Sequence, residues 1–263
     1  MWSLSASTVG VQDRERIPLS LHDDPGDALD PFFADGSLVE IHYQIKSGKE
    51  ATVYCATAGP SIGGGLVAAK VYRPDEARSF RNDGVYNDGR YGRVTREIRA
   101  MRSHTAFGKQ VRMGAWTAHE RETLRTLAKA GADVPQPIAV SERAILETFV
   151  GDEDGPAPLL AKTRLDDLVA RDMFEQVMAN IELMLKLNII HADLSPYNIL
   201  VWQNRAVIID VPQAIDPRFN HSARELLLRD VTNVTGSFRK YGVDADPDRI
   251  TRTLWWRFVN ADL

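Results

Sequence analysis

"HADLSPYNIL", residues 191–200, follows directly on the apolar run "LMLKLNII" and sets His191, Asp193 and Asn198 within eight positions. Two readings compete for it. In one it is a polar turn between two pieces of core, with Asp as a turn former and Asn as a local cap. In the other it is a catalytic loop, in which an acid takes a proton and an amide holds a metal. Asp210 favours the second reading, because it stands twelve residues beyond Asn198 at the end of the apolar run "VIIDV". Phosphoryl transfer needs an acid to orient the attacking hydroxyl and oxygen ligands to hold magnesium across the phosphates. A loop carboxylate, a loop amide and a carboxylate at a strand end make up that set.

On the N-terminal side the texture is different. "LVEIHYQI", "ATVYCATA" and "GLVAAKVYR" are short β-branched or aromatic runs separated by glycine-rich turns, which predicts an antiparallel meander. "VPQPIAVSERAILETFVG" adds one or two strands. Between them, "TAHERETLRTLAKAG" reads as a helix capped by Thr117, with Glu120 three residues later and Gly131 at its end. On the C-terminal side, Leu168, Met173, Val177, Ile181, Met184 and Leu185 recur at helical spacing and predict a core helix. "NIL" and "AVIIDV" are short strands around a turn at "WQNR", and the tail is helical with a glycine break. A strand-rich half therefore precedes a helix-rich half.

Two further groups bear on chemistry. Lys70 sits inside "LVAAKVY", where its neighbours all favour burial. It either snorkels from a strand edge or meets an anion. Glu120 is a possible partner, since a strand lysine and a helix glutamate pair in kinases, although "TAHE" is equally a capping box. "SGKEATVY", residues 47–54, places Gly48 in a tight turn, where backbone N–H groups with Ser47 or Lys49 can cradle phosphate. It is not a Walker motif.

The totals exclude several classes. The chain has 263 residues, 44% apolar and 26% charged, with a net charge of -4, so no overall basic field draws it to nucleic acid. Locally, residues 73–112 carry ten Lys or Arg against five Asp or Glu. Cys55 is the only cysteine, which excludes an intramolecular disulfide and a cysteine-based zinc site and accords with a reducing cytoplasm. No secretory signal opens the sequence, and no apolar run approaches membrane-spanning length. Residues 1–36, rich in Asp, Pro, Ser and Gly, read as a flexible arm, with "PFFADG" as a short docking turn.

Five segments, "SGKEATVY", "AAKVYR", "GDEDGPAPLL", "HADLSPYNIL" and "IIDVPQAI", resemble in order and spacing the signatures of the RIO family of atypical protein kinases, above all its RIO1 subfamily. The resemblance runs from about Leu38 to Tyr241. It implies an α+β, two-lobed protein-kinase-like fold, with a strand-rich N-lobe over 37–150, a flexible basic loop at 73–112, and a shortened helical C-lobe over 151–263. It also implies ATP with Mg2+, or Mn2+, in the cleft. On this likeness Ser47 and Lys49 belong to the phosphate loop, Lys70 binds phosphates and pairs with Glu120, and Thr148 and Val150 offer backbone groups to adenine. Asp193 is then the catalytic acid, Asn198 a metal ligand, and Asp210 both a metal ligand and the carboxylate that receives phosphate in an ATPase cycle. His191 supports the loop's backbone.

The family's activities, serine/threonine autophosphorylation and ATP hydrolysis through an aspartyl phosphate, are the expectation for this chain. Few residues follow Asp210, so no peptide groove is expected, and Pro212 stands where many relatives carry Ser. Two alternatives remain. One is a nucleotide-gated assembly factor that meets a ribosomal subunit or rRNA through the basic loop. The other is a small-molecule kinase of the aminoglycoside phosphotransferase type, which "SGKEA" argues against. No membrane partner and no oligomeric state follow from the sequence.

Overall fold

The computed structural model describes residues 16–19, 25–73 and 106–263. Its N-terminal part is a five-stranded antiparallel sheet in the order β1-β2-β3-β5-β4. The strands are β1 (Leu38–Ser47), β2 (Ala51–Ala58), β3 (Leu66–Tyr72), β4 (Pro137–Val140) and β5 (Ala144–Thr148). The period of two in "LVAAKVY" gives the sheet its two faces. Val67, Ala69 and Val71 belong to an apolar cluster that also holds Leu29 and Phe32. Ala68, Lys70 and Tyr72 point the other way.

Leu29 and Phe32 correct the reading of a flexible arm for residues 25–36, while residues 1–15 and 20–24 lie outside the described residues. Gly26–Ala28 forms one turn of 3-10 helix and α1 spans Asp30–Ala34, with Pro31 in its first turn. Both apolar side chains are almost wholly buried, each burial contributing about 1.5–3 kcal/mol. Farther back, Ile17 pairs with Gln44 of β1. Composition predicted disorder here because the few apolar residues that matter are scattered among polar ones.

The helix read from "TAHERETLRTLAKAG" begins much earlier. α2 spans Ala106–Lys129, so residues 106–112 are helical and the basic stretch is not a loop up to 112; its portion from 74 to 105 lies outside the described residues. Thr117 is not a cap. It is buried within α2 and donates to the carbonyl of Glu142. Gly131 does end the helix, with φ +84°, a conformation that favours glycine.

α2 belongs to both halves of the molecule. Glu120 faces the sheet, while Leu124 and Leu127 join the main core of the C-terminal half. That core is built on α3 (Asp167–Lys186), which Asp166 caps through the N–H of Leu168. Met173, Val177, Ile181, Met184 and Leu185 are buried as the periodicity predicts. Leu168 is not: it lies in the first turn beyond the packed face and is 74% exposed. Strands β6 (Gly151–Asp152) and β7 (Gly155–Pro156) form a small hairpin after the sheet, and β8 (Ile199–Trp202) and β9 (Arg205–Ile208) form another. Gln203 and Asn204, between β8 and β9, both have positive φ, the turn that matches strand twist. Helices α4 (Ala223–Phe238) and α5 (Pro247–Val259) close the chain, separated at Gly242.

Candidate active site

The inner face of the sheet and the loops of the C-terminal half enclose a cleft of about 680 Å³, a size typical of small-molecule sites. Lys70 stands at its centre. Its ammonium lies 2.7 Å from Glu120 Oε1 and 2.7 Å from Asp210 Oδ1. Glu120 is fully buried, and its other oxygen accepts from the hydroxyl of Tyr72. Burial opposes the charge on Lys70, but the carboxylates of Asp210 and Glu120 outweigh it and hold the pKa well above the usual value. Burial would likewise raise Asp210; Lys70 reverses this and keeps it below the ordinary carboxylate range. The lysine that sequence reading left between a snorkel and an anion partner is therefore a buried, charged hub. The capping-box alternative for Glu120 is excluded by its position deep within α2.

Asp193, Asn198 and Asp210 all line the cleft. Their loop is fixed from behind. Oδ2 and Oδ1 of Asp230, on α4, accept from the N–H groups of Ala192 at 2.7 Å and Leu194 at 2.9 Å. Arg229 donates to the Ala192 carbonyl, and Asn233 Nδ2 to that of Leu194. Ala192 has φ +64°, a strained value for a residue with a Cβ, persisting where surroundings over-determine it. His191 Nε2 meets the carbonyl of Ile209 at 3.2 Å, and its Nδ1 the N–H of Asp193 at 3.3 Å. With the proton on Nε2, one imidazole ties the loop to the residue before Asp210, the supporting role expected of it. Burial raises the pKa of Asp193. Asn198 Nδ2 donates to the Asp193 carbonyl at 2.9 Å, so its amide oxygen is the atom left for another partner.

Lys49, Thr148 and Val150 also line the cleft. The N–H of Thr148 is taken by the carbonyl of Gln136, and the carbonyl of Val150 by the N–H of Ala157, which leaves the Thr148 carbonyl and Val150 N–H as the groups to consider for a ligand. Gly151 follows with φ +151°, where an added Cβ would fall 2.4 Å from the Gly155 carbonyl oxygen; only glycine allows the chain to turn into the β6–β7 hairpin there. Ser47 is not brought to the site. Its hydroxyl meets Thr52 at 3.4 Å and accepts from Arg73, and it is not among the cleft residues. The turn around it presents Lys46, Gly48, Lys49 and Glu50 to the cleft instead. Glu50 reaches across the cleft, accepting from Gln213 Nε2 at 3.1 Å.

Sequence reading missed Asp230, Arg229, Glu147 and Gln213. Asp230 carried a signal only in hindsight, as an acid on the buried stripe of "RELLLRDVTNV". His119 was missed as well: its Nε2 meets the Ala214 carbonyl at 2.9 Å, pinning α2 to the loop after Asp210.

A RIO-domain family model matches residues 52–250. The chain belongs to the RIO family. The RIO-type serine/threonine-protein kinase Rio1 of Haloferax volcanii is 30% identical over 253 residues, covering 95% of this chain and 79% of that protein. The serine/threonine-protein kinase RIO1 of Homo sapiens is 31% identical over 209 residues, covering 79% of this chain but 35% of its own length. Among solved structures, the ADP/Mg2+-phosphoaspartate complex of Rio2 kinase from Chaetomium thermophilum has a TM-score of 0.61 at 21% identity, covering 86% of this chain and 65% of that one. That likeness establishes the kinase-like α+β fold of this RIO chain. Among the described residues, no helix is long and apolar enough to cross a membrane.

Proposed function

We propose that this RIO chain is an ATP-dependent phosphotransferase of the serine/threonine-kinase class whose cycle includes hydrolysis through an aspartyl phosphate. The observation that carries the reading is the Lys70 ammonium held between Glu120 and Asp210, in a cleft that also presents Asp193 and Asn198. ATP enters with its base against Thr148 and Val150 and its phosphates towards Lys70, Lys49 and the backbone of the 47–50 loop. Glu120 acts through Lys70, holding the ammonium where the phosphates arrive.

Asp210 and Asn198 would hold Mg2+, or Mn2+. They supply a hard carboxylate and an amide oxygen, and magnesium commonly takes one or two carboxylates with water and substrate phosphate completing its shell. Among the described residues no three acidic, His or Cys side chains form a cage by themselves, in keeping with that sharing. Bound there, the metal would supply neutralisation of charge on the phosphates. In the kinase reaction Asp193 accepts the proton of the attacking hydroxyl as its oxygen bonds to the γ-phosphorus and the bond to ADP breaks. In the ATPase reaction an Asp210 oxygen is the nucleophile, ADP leaves, and water, positioned by Asp193, later releases phosphate from Asp210.

The chain is given [γ-32P]ATP with Mg2+, and the wild type is compared with Asp210→Asn. Protein-bound label that hydroxylamine removes, and that the variant lacks, supports the aspartyl-phosphate cycle. Hydroxylamine-stable label assigns serine or threonine autophosphorylation. ATP binding with neither label nor free phosphate would refute catalysis and favour a nucleotide-gated assembly factor. The excess of Lys and Arg over acids in residues 73–112 is the feature that favours a ribosomal RNA partner for such a factor, and a cytoplasmic location accords with it.

A further inference from the structure

We propose that Glu147 is a specificity-determining residue of the cleft, reading the 6-amino edge of a purine base. The inference rests on the cleft being an ATP site. In the sheet, Glu147 is opposite Ala68, and Ile145 is opposite Lys70. Glu147 is thus on the same face as Lys70, one step along the strand towards Thr148, and it lines the cleft together with Ala68 and Lys70. Residues diagonal across a strand pair are about 7–8 Å apart. The carboxyl therefore lies between the lysine that marks the phosphate end and the 148–150 segment that marks the base end.

Its surroundings do not satisfy it. Glu147 is 9% exposed, and among the described residues its Oε1 has no hydrogen-bond partner. The nearby ammonium of Lys70 is engaged by Glu120 and Asp210. A buried carboxyl oxygen left without a partner is costly, and native proteins rarely keep one without a role. A ligand in the cleft can supply the missing partner.

The chemistry of the base selects which ligand does so. Along one edge adenine offers the 6-amino donor and the N7 acceptor. An ionised Glu147 accepts from the amino group. A protonated Glu147 accepts through its carbonyl and donates through its hydroxyl to N7, the two-bond pairing that Asn and Gln make with adenine. Burial, opposed by Lys70, pushes its pKa up to about 8, so both forms are relevant near neutrality. A 6-oxo purine presents two acceptors at the same edge. It repels the carboxylate, and it can satisfy only the hydroxyl of the protonated acid. The preference for the 6-amino base has the same sign in either charge state.

Equilibrium binding of ATP and of ITP, which carries a 6-oxo group, is measured with Mg2+ for the full chain and for Glu147→Leu and Glu147→Gln. Wild type is expected to prefer ATP by roughly 10–100-fold, the scale set by leaving one buried polar group unsatisfied. Glu147→Leu is expected to reduce that ratio by about tenfold, while Glu147→Gln, which keeps an acceptor and a donor, retains most of it. If Glu147→Leu weakens both nucleotides equally or leaves the ratio intact, Glu147 has only a structural role and the proposal is overturned. If wild type binds neither nucleotide, the ATP reading of the cleft falls and takes this assignment with it.

Discussion

Replacing Lys70 by Met removes the cation that two acids, the buried Glu120 and the half-buried Asp210, share. At 2.7 Å each, the contacts to Glu120 and Asp210 have a gross Coulomb energy of about 6 kcal/mol apiece at an effective dielectric constant of 20. Most of that is offset by the desolvation of the groups involved. The net cost of breaking a buried pair on one side only is about 3–5 kcal/mol, because the remaining charge is stranded. Lys70→Met should therefore lower the urea midpoint by about 1 M, for an m-value of roughly 3–5 kcal/mol/M in a chain larger than those for which ~1–3 is typical. The double variant Lys70→Met/Glu120→Gln, which leaves no stranded charge on α2, should recover much of the loss. Urea unfolding followed by tryptophan fluorescence measures both midpoints. A Lys70→Met midpoint equal to that of the wild type would refute the claim that the hub is energetically coupled. A double variant no more stable than the single one would show that the stranded charge is not the cause.

Three more expectations follow from the same geometry. Asp193→Asn should lower turnover by roughly 10²–10⁴, as expected for loss of a general base, while ATP affinity by calorimetry stays near the wild-type value; unchanged turnover would remove Asp193 from the reaction. Asp230→Ala leaves the N–H groups of Ala192 and Leu194 without their acceptor and should cost about 2–6 kcal/mol at roughly 1–3 kcal/mol per orphaned group; thermal unfolding with turnover measured below the transition would check both effects. Burial pushes the Glu147 carboxyl from the ordinary glutamate value up to about 8, so the native state holds more protons than the unfolded chain between these values and loses stability as pH rises through that window. Glu147→Gln removes this loss: its Tm relative to wild type should climb from pH 5 to pH 9, and a pH-independent difference would contradict the buried position of the carboxyl.

Much of this molecule was written into its sequence at short range. The strand alternation of "LVAAKVY", the helical stripe from Met173 to Leu185 and the turn at Gln203 and Asn204 are local patterns. Local sterics and a one-sided apolar surface are enough to set them. "HADLSPYNIL" marked the loop that lines the cleft, and the order of the five segments gave the RIO family. Where local and tertiary signals competed, the local one misled. "TAHE" has the form of a capping box, yet Thr117 and Glu120 lie inside a longer helix because Thr117 is buried and Glu120 meets Lys70 across the sheet. Residues 26–36 have a loop-like composition, yet Leu29 and Phe32 fill the outer face of that sheet.

What only the tertiary structure decided are the relations between residues far apart in the chain. Lys70, Glu120 and Asp210 converge on one ammonium from a strand, a helix and a loop, and Asp230 holds the loop that carries Asp193 from thirty-eight residues away. Ser47, placed in the site by its motif, faces Thr52 and Arg73, while Glu147, which no motif marks, faces the cleft. Sequence fixes a residue's chemistry and the side of its own element on which it stands. The partner that gives that chemistry a use is set by packing, since a buried charge's properties depend on what surrounds it within a few ångströms.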